Sequence, residues 1–232
     1  MMYNKLKAAQ LISLFMNYSN ITTVPKRGSR LLLANERGIF RVAVLRYILM
    51  RLIYKTKYPE IDRNISDCQM GARKGKNCKT NIFIINGIIN DVMKSKRMKP
   101  VLLQIYDYAQ MFDSINLKKA ISDIYDAGLK DDNLVLIHKA NEEVNMAVNT
   151  PSGLSERQII KNNVLQGDTW GSLLASVQVD SIGSSTRSLG TGYGYMYKDS
   201  LQVSLLGLVD NIIGVTKAGF KAQQMNAFII RN

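Results

Sequence analysis

Two carboxylate-bearing segments are the parts of this chain that could do chemistry: Asp107-Tyr-Ala-Gln-Met-Phe-Asp113, closing an apolar run, and Leu208-Val-Asp-Asn211, inside another. A carboxylate at the tip of a buried strand is costly unless a partner such as a metal ion sits beside it. Asp107 and Asp210 are therefore candidate ligands of a divalent metal. The second segment also has a purely structural reading. Asp and Asn tolerate turn backbone that branched residues do not, so a tight hairpin would let two polar residues leave an apolar strand pair.

These segments need elements to hold them. Residues 101–107 read as a strand buried on both faces, with Asp107 at its tip. A helix should follow, with Leu117, Ala120, Ile121 and Ile124 on one face and Gly128 closing it. Another helix is expected over 133–144, and 146–149 with 158–160 read as a hairpin around Pro151-Ser-Gly153. Val164-Leu-Gln-Gly-Asp-Thr169 makes a glycine turn into a helix over 173–179, its amides facing outward for a phosphate or base. Residues 205–209 and 212–215 are the apolar runs flanking Asp210-Asn211.

Toward the start, 6–18 reads as a helix and Pro25-Lys-Arg-Gly28 as a turn. A further helix is expected over 40–54, packing Val42, Leu45, Leu49 and Leu52 on one side and presenting Arg41, Arg46 and Arg51 on another, with Pro59 stopping the pattern. Gly71-Ala-Arg-Lys-Gly-Lys76 is a basic, glycine-punctuated loop before a helix carrying Ile82, Ile85, Ile89 and Val92. Such a loop can lie along a phosphate backbone, or be a solvated turn. Residues 219–230 read as an amphipathic helix.

The charge is unevenly spread. Of the net +13, residues 1–100 hold 20 Lys and Arg against 5 Asp and Glu, while residues 101–232 hold 11 against 13. A basic first part suits a polyanionic partner, because neutralising phosphates releases counterions; a solvated Lys-rich surface is the plainer alternative. No apolar run approaches the roughly 18–20 residues a membrane span requires, and the start lacks a signal peptide's apolar core. The expectation is an intracellular, soluble chain with no membrane partner, the nucleus being a compatible compartment. Cys68 and Cys78 lack the spaced Cys/His pairs of a zinc site and read as reduced thiols. His138 sits in a helical stretch and reads as a surface or interface residue. Gly190-Thr-Gly-Tyr-Gly194 lacks the strand-to-helix context of a dinucleotide loop.

From about Ile21 onward the chain resembles the reverse transcriptase domain of non-LTR (LINE-type) retrotransposons and their group II intron relatives. Ile21-Thr-Thr-Val-Pro-Lys-Arg-Gly28 with Asn35-Glu-Arg-Gly-Ile39 resembles the family's fingers motif, and Gln69-Met-Gly-Ala-Arg-Lys-Gly-Lys76 its next basic loop. Asp107 to Asp113 resembles the first catalytic motif and Val164-Leu-Gln-Gly167 the second. Leu208-Val-Asp-Asn211 falls where a Tyr-x-Asp-Asp turn belongs. Five motifs in the right order carry the resemblance.

The resemblance implies an α+β fold, that of a right-hand polymerase. Fingers would come from 1–100, and the palm from 101–232 with an interleaved fingers segment, as an antiparallel sheet packed on helices; the chain would stop before primer grip and thumb. Asp107, Asp210 and Asn211 would be catalytic, with Asp107 and Asp210 holding two Mg2+ or Mn2+ ions. Lys26, Arg27, Arg37, Phe112, Gln166 and Gly167 would bind the incoming nucleotide. Phe112 would be the steric gate that favours deoxynucleotides; without Asp107 nearby it would read as a core aromatic, and Asp113 as a helix N-cap. Arg73, Lys74 and Lys76 would follow the template. The implied activity is RNA-directed DNA synthesis from an RNA template, a DNA primer and dNTPs, with any endonuclease or other element domains lying outside this fragment. Asn211 for the second aspartate and Leu208 for the tyrosine are departures, so a degenerate, catalytically inactive nucleic-acid-binding remnant is the alternative. An RNA-dependent RNA polymerase is a third, which Phe112 and Leu165-Gln-Gly167 argue against.

Overall fold

The computed structural model describes residues 14–26, 35–94, 100–108, 111–188, 194–197, 201–209, 211–217, 219, 223–225, 227 and 229. The chain forms two compact units, each drawn from two separated segments: Met1–Asp62 with Gln110–Leu174, and Arg63–Ala109 with Ala175–Asn232. The fold is mixed α+β.

In the first unit a 3-10 turn, Leu14–Asn17, leads into β1, Tyr18–Pro25, which pairs antiparallel with β2, Glu36–Val42, from Ser19↔Val42 to Pro25↔Glu36. The helix expected over 6–18 is thus replaced by strand at Tyr18, and its earlier part lies outside the described residues. The helix expected from residue 40 begins later: α1 is Val44–Asn64. Phe40 and Val42 are aromatic and β-branched, and alternation along β2 turns Phe40 into a cluster with Val144 and Leu165. Nor does Pro59 stop α1; it sits within it, removing one backbone donor while the helix runs a turn further.

The expected outward arginine face of α1 is also corrected. Leu45 and Leu52 are half exposed, whereas Arg46 is buried. Its guanidinium donates to Asn141 Oδ1 at 3.2 Å, to Asp168 Oδ2 at 2.5 Å and to the Ala140 carbonyl. Both charged side chains are 1% exposed, so each is tolerable only because the other is present.

Between these partners lie α3, Met111–Ser114, α4, Leu117–Asp126, and α5, Asp132–Glu142. Leu117, Ala120 and Ile124 are fully buried, as their spacing predicts. Asn116, and not Asp113, is the N-cap of α4, accepting from the Lys119 N–H; Gly128 follows its end at φ 115. Asp131 caps α5, accepting from the Asn133 N–H at 3.0 Å, and meets Lys57 Nζ at 2.6 Å. α5 ends before Val144 because Glu143 is extended and opens β4, Glu143–Thr150. The expected hairpin is present: β4 pairs with β6, Gln158–Lys161, and with the short β5, Gly153–Leu154, while β1 joins β4 in parallel, giving the order β2-β1-β4-β5 with β6 also on β4.

In the second unit, β3, Val101–Asp107, pairs antiparallel with β10, Asn211–Lys217, which pairs antiparallel with β9, Leu205–Leu208. The strand spans match the apolar runs, but β3 is not buried on both faces. It is an edge strand, and Ile105 is 76% exposed. Helix α2, Cys78–Lys94, buries Ile88 in a cluster with Tyr195, Val203, Leu206 and Val215. Ile85 and Val92 pack against that cluster as expected, but Ile82 and Ile89 point outward; Ile84 takes their place. A two-stranded ribbon, β7 (Tyr195–Tyr197) with β8 (Leu201–Val203), and α6, Gly171–Ser188, complete the described elements. Residues 223–225, 227 and 229 are helical, with Met225 and Ile229 buried; the rest of the helix expected over 219–230, apart from Gly219, lies outside the described residues.

Asp168→Ala should cost about 3–5 kcal/mol in urea unfolding, because it strands the buried Arg46 charge. Arg46→Met with Asp168→Leu should recover most of that loss. Burial alone would raise the Asp131 carboxyl, but hydrogen bonds from Lys57 and Asn133 outweigh it and hold it below the usual carboxylate range. Its contribution is therefore present above pH about 4 and lost as pH falls through the lowered native value. Asp131→Ala should cost about 1 kcal/mol at neutral pH, and the gap from wild type should close in acid unfolding curves.

Candidate functional site

Strand register decides where the acidic residues go. Asp107 is the last residue of β3 and Asn211 the first of β10, and the two are direct cross-strand partners. Directly opposed residues project from the same face of an antiparallel pair, so the Asp107 carboxylate and the Asn211 amide stand side by side. Both residues are exposed. Asn211 also pairs with Leu208, so β9 and β10 form the expected hairpin, but Asn211 belongs to the strand and not to the turn expected at Asp210-Asn211. Asp210 itself lies outside the described residues. The phenols of Tyr106 and Tyr108, on either side of Asp107, are pushed up by burial.

Val209 adopts φ 55, a left-handed conformation that a β-branched residue reaches only under constraint. The constraint is visible. Segment 68–71 bridges onto β9, with the Met70 N–H donating to Gly207 O and the Gly207 N–H to Cys68 O, both at 2.8 Å. Asn81 Nδ2 donates to the same Gly207 carbonyl at 3.2 Å. Gln69, buried, accepts at Oε1 from the N–H groups of Gly71 at 2.7 Å and Val209 at 3.3 Å, and donates from Nε2 to Ser176 O at 3.4 Å. A Cβ on Gly71 would fall 2.2 Å from the Val209 nitrogen, so only glycine admits the turn there.

The basic loop behaves differently from a uniformly solvated strip. Arg73 is buried and donates from Nη1 to the carbonyls of Ser66 at 2.5 Å and Gln69 at 3.1 Å. Lys74 is exposed, and Lys76 Nζ lies 2.9 Å from Asp67 Oδ1, a hydrogen bond that lowers the Asp67 carboxyl. Ser66 donates through its N–H, at 3.1 Å, and through its hydroxyl to the Asp180 carboxylate of α6.

The residues expected to bind a nucleotide lie in the other unit. Lys26 follows β1, its N–H donating to Asn35 O at 2.6 Å, and Arg37 is exposed on β2; Arg27 lies outside the described residues. The Gln166 carbonyl accepts from the Phe40 N–H at 2.9 Å. Gly167 has φ 108, and a Cβ there would fall 2.8 Å from Phe40 O, so the turn seats against β2 only through glycine. Phe112, on α3, is half-buried, its ring edge 3.6 Å from where a Gly171 Cβ would stand. The structure thus brings Gln166 and Gly167 to the strand that carries Arg37. Trp170, just beyond, donates from Nε1 to Met50 O at 3.1 Å and meets Tyr54 edge-on at 5.5 Å.

Gln69 enters the sequence reading only as the first residue of the basic-loop motif, and Asn81 and Ser176 not at all, because neutral side chains that bond to backbone carry no charge or spacing signature. The one available signal was a glutamine two residues before a glycine at the head of the basic loop. Among the described residues no three His, Cys, Asp or Glu side chains gather into a metal-binding group. Those at the strand end, one carboxylate and one amide, are the oxygen donors that Mg2+ accepts while it keeps several waters. Among the described residues no helix is long and apolar enough to cross a membrane.

The mixed α+β fold resembles part of telomerase reverse transcriptase. Solved telomerase structures resemble the chain over nearly its whole length at low identity. Apo telomerase from Candida tropicalis matches with TM-score 0.64 and 12% identity, covering 99% of this chain and 46% of that one. The same telomerase truncated from its C-terminal domain matches with TM-score 0.61 and 15% identity, covering 99% and 50%. Telomerase from Candida albicans in complex with a TWJ fragment of telomeric RNA matches with TM-score 0.63 and 10% identity, covering 99% and 42%. The chain spans at most half the length of these structures. No family model and no curated protein matches it.

Relief of the left-handed valine gives a direct check. Val209→Asn should raise the thermal unfolding free energy by about 1 kcal/mol, since Asn tolerates this conformation where Val does not. A loss of stability would mean that the valine side chain outweighs its backbone strain.

Proposed function

We propose that the chain is the fingers-and-palm part of an RNA-directed DNA polymerase, of the LINE-type and group II intron-related class that its motifs resemble. The reading is carried by the pairing of Asp107 with Asn211 across β3 and β10, with Asp210 adjacent in the chain, in a fold like that of telomerase. Asp107 and Asp210 are the metal-holding carboxylates, and Asn211 offers an amide oxygen. Two bound Mg2+ or Mn2+ ions would supply Lewis-acid chemistry, lowering the pKa of the primer 3′-hydroxyl and neutralising triphosphate charge.

The remaining steps belong to the chain's own residues. Lys26, Arg27 and Arg37 bind the triphosphate through charge-assisted hydrogen bonds. The backbone of Gln166 and Gly167 gives the incoming base a floor, and the Phe112 ring crowds a 2′-hydroxyl. Lys74 and Lys76 follow the template phosphates; Arg73, bonded to its own loop, shapes the basic segment from within. Template RNA, DNA primer and dNTPs are the proposed partners.

One observation favours a second reading, that of a non-catalytic binding remnant: Asn211 places an uncharged amide where a second carboxylate would hold metal more tightly. Primer extension on poly(rA)–oligo(dT) with Mg2+ or Mn2+ separates the two. The polymerase predicts dNTP incorporation that Asp107→Asn lowers by at least about a hundredfold and that Asn211→Asp raises. No incorporation, with salt-sensitive duplex binding indifferent to Asp107→Asn, would establish the remnant instead.

A further inference from the structure

We propose that Gln69 is a positioning residue for the entry to β10: its buried amide holds Val209 in the left-handed conformation and so sets the metal affinity and turnover of the strand-end site, while making no contact with nucleic acid. The metal-affinity half of this inference rests on the polymerase reading; the geometric half does not.

The side chain joins three stretches of backbone. Through one oxygen it accepts the N–H groups of Gly71 and Val209, and through its nitrogen it donates to Ser176 in α6. Only a primary amide of this length supplies both an acceptor and a donor there. A carboxylate would set a negative charge against the Ser176 carbonyl, and an aliphatic chain would leave the buried Gly71 N–H and the part-buried Val209 N–H without this acceptor.

Everything around Gln69 removes slack from the same turn. Two backbone hydrogen bonds and Asn81 pin Gly207. The Ser176 hydroxyl donates to Gly71 O at 3.0 Å, and the bare Gly71 backbone lets Val209 sit where a Cβ would collide. A β-branched residue in the left-handed region persists only when its surroundings over-determine it. Two residues beyond, Asn211 meets Asp107 in register. Without the Gln69 bond Val209 can relax from φ 55, and Asn211, two residues on, then samples several positions relative to Asp107.

Gln69→Met keeps length and volume and removes all three hydrogen bonds. Ile88→Ala, in the α2 core of the same unit, is the control for plain destabilisation. NMR-resolved amide exchange on the intact chain should show Val209 exchanging about tenfold faster in Gln69→Met, the loss of one part-buried hydrogen bond, while 101–106 of β3 keep their wild-type rates. Free Mn2+ followed by electron paramagnetic resonance should show weaker binding by about tenfold, and the Mn2+ concentration for half-maximal incorporation should rise in parallel, with KM for primer–template unchanged. Ile88→Ala should lower the melting temperature and move neither quantity. Unchanged exchange at Val209, or the same shifts in Ile88→Ala, would overturn the inference whatever the activity. Faster exchange at Val209 in Gln69→Met without incorporation in wild type would uphold the geometric half and sink the polymerase reading.

Discussion

Seven consecutive residue pairs tie β3 to β10, from Asp107↔Asn211 to Val101↔Lys217. Side chains alternate faces along a strand, so a slip of one position would send Asp107 and Asn211 to opposite sides of the sheet and turn Val215 out of its cluster. The register that seats the core also sets the carboxylate beside the amide. Packing and chemistry are thus fixed by a single choice, and the face of β10 that carries Ile213 and Val215 into that cluster supplies the energy that enforces it.

Both units hold a loop of functional interest by a similar physical device. In one, Gly207 to Val209 is pressed against Gly71 and bonded to Gln69. In the other, the turn at Gln166 and Gly167 lies on the Phe40 backbone, and Asp168 beside it is gripped by Arg46. Each combines a glycine that admits close backbone approach with a buried polar side chain from elsewhere in the chain. Such loops lose little freedom when a ligand arrives, because the ordering has already occurred on folding.

Much of this was readable from residue order. The apolar run ending at Asp107, the pairing of the two runs that became β9 and β10 and the 117–126 helix each follow from local spacing, although Asn211 went to the strand and not to the turn. Residues 40–54 do not: a long apolar stretch punctuated by arginine suits either period, and pairing with β1 turned its first part into strand. Arg46 could not be told from Arg41 or Arg51 because its partners lie about a hundred or more residues away. Arg73 and Gln69 share a motif with Lys74 and Lys76, yet backbone carbonyls of the loop draw the arginine inward while Lys74 stays outside. Short-range sequence shows which residues are charged; only the fold shows which charges meet protein.

The Arg46–Asp168 pair spans 122 positions of the chain. At about 5–20 residues per second, a ribosome takes roughly 6–25 seconds to add the intervening stretch. Over that interval the nascent arginine has no carboxylate to enter the interior with, so α1 cannot dock in its final place. The first unit must therefore close late, once Asp168 has been synthesised, and the segment between its two halves has to be accommodated while it waits.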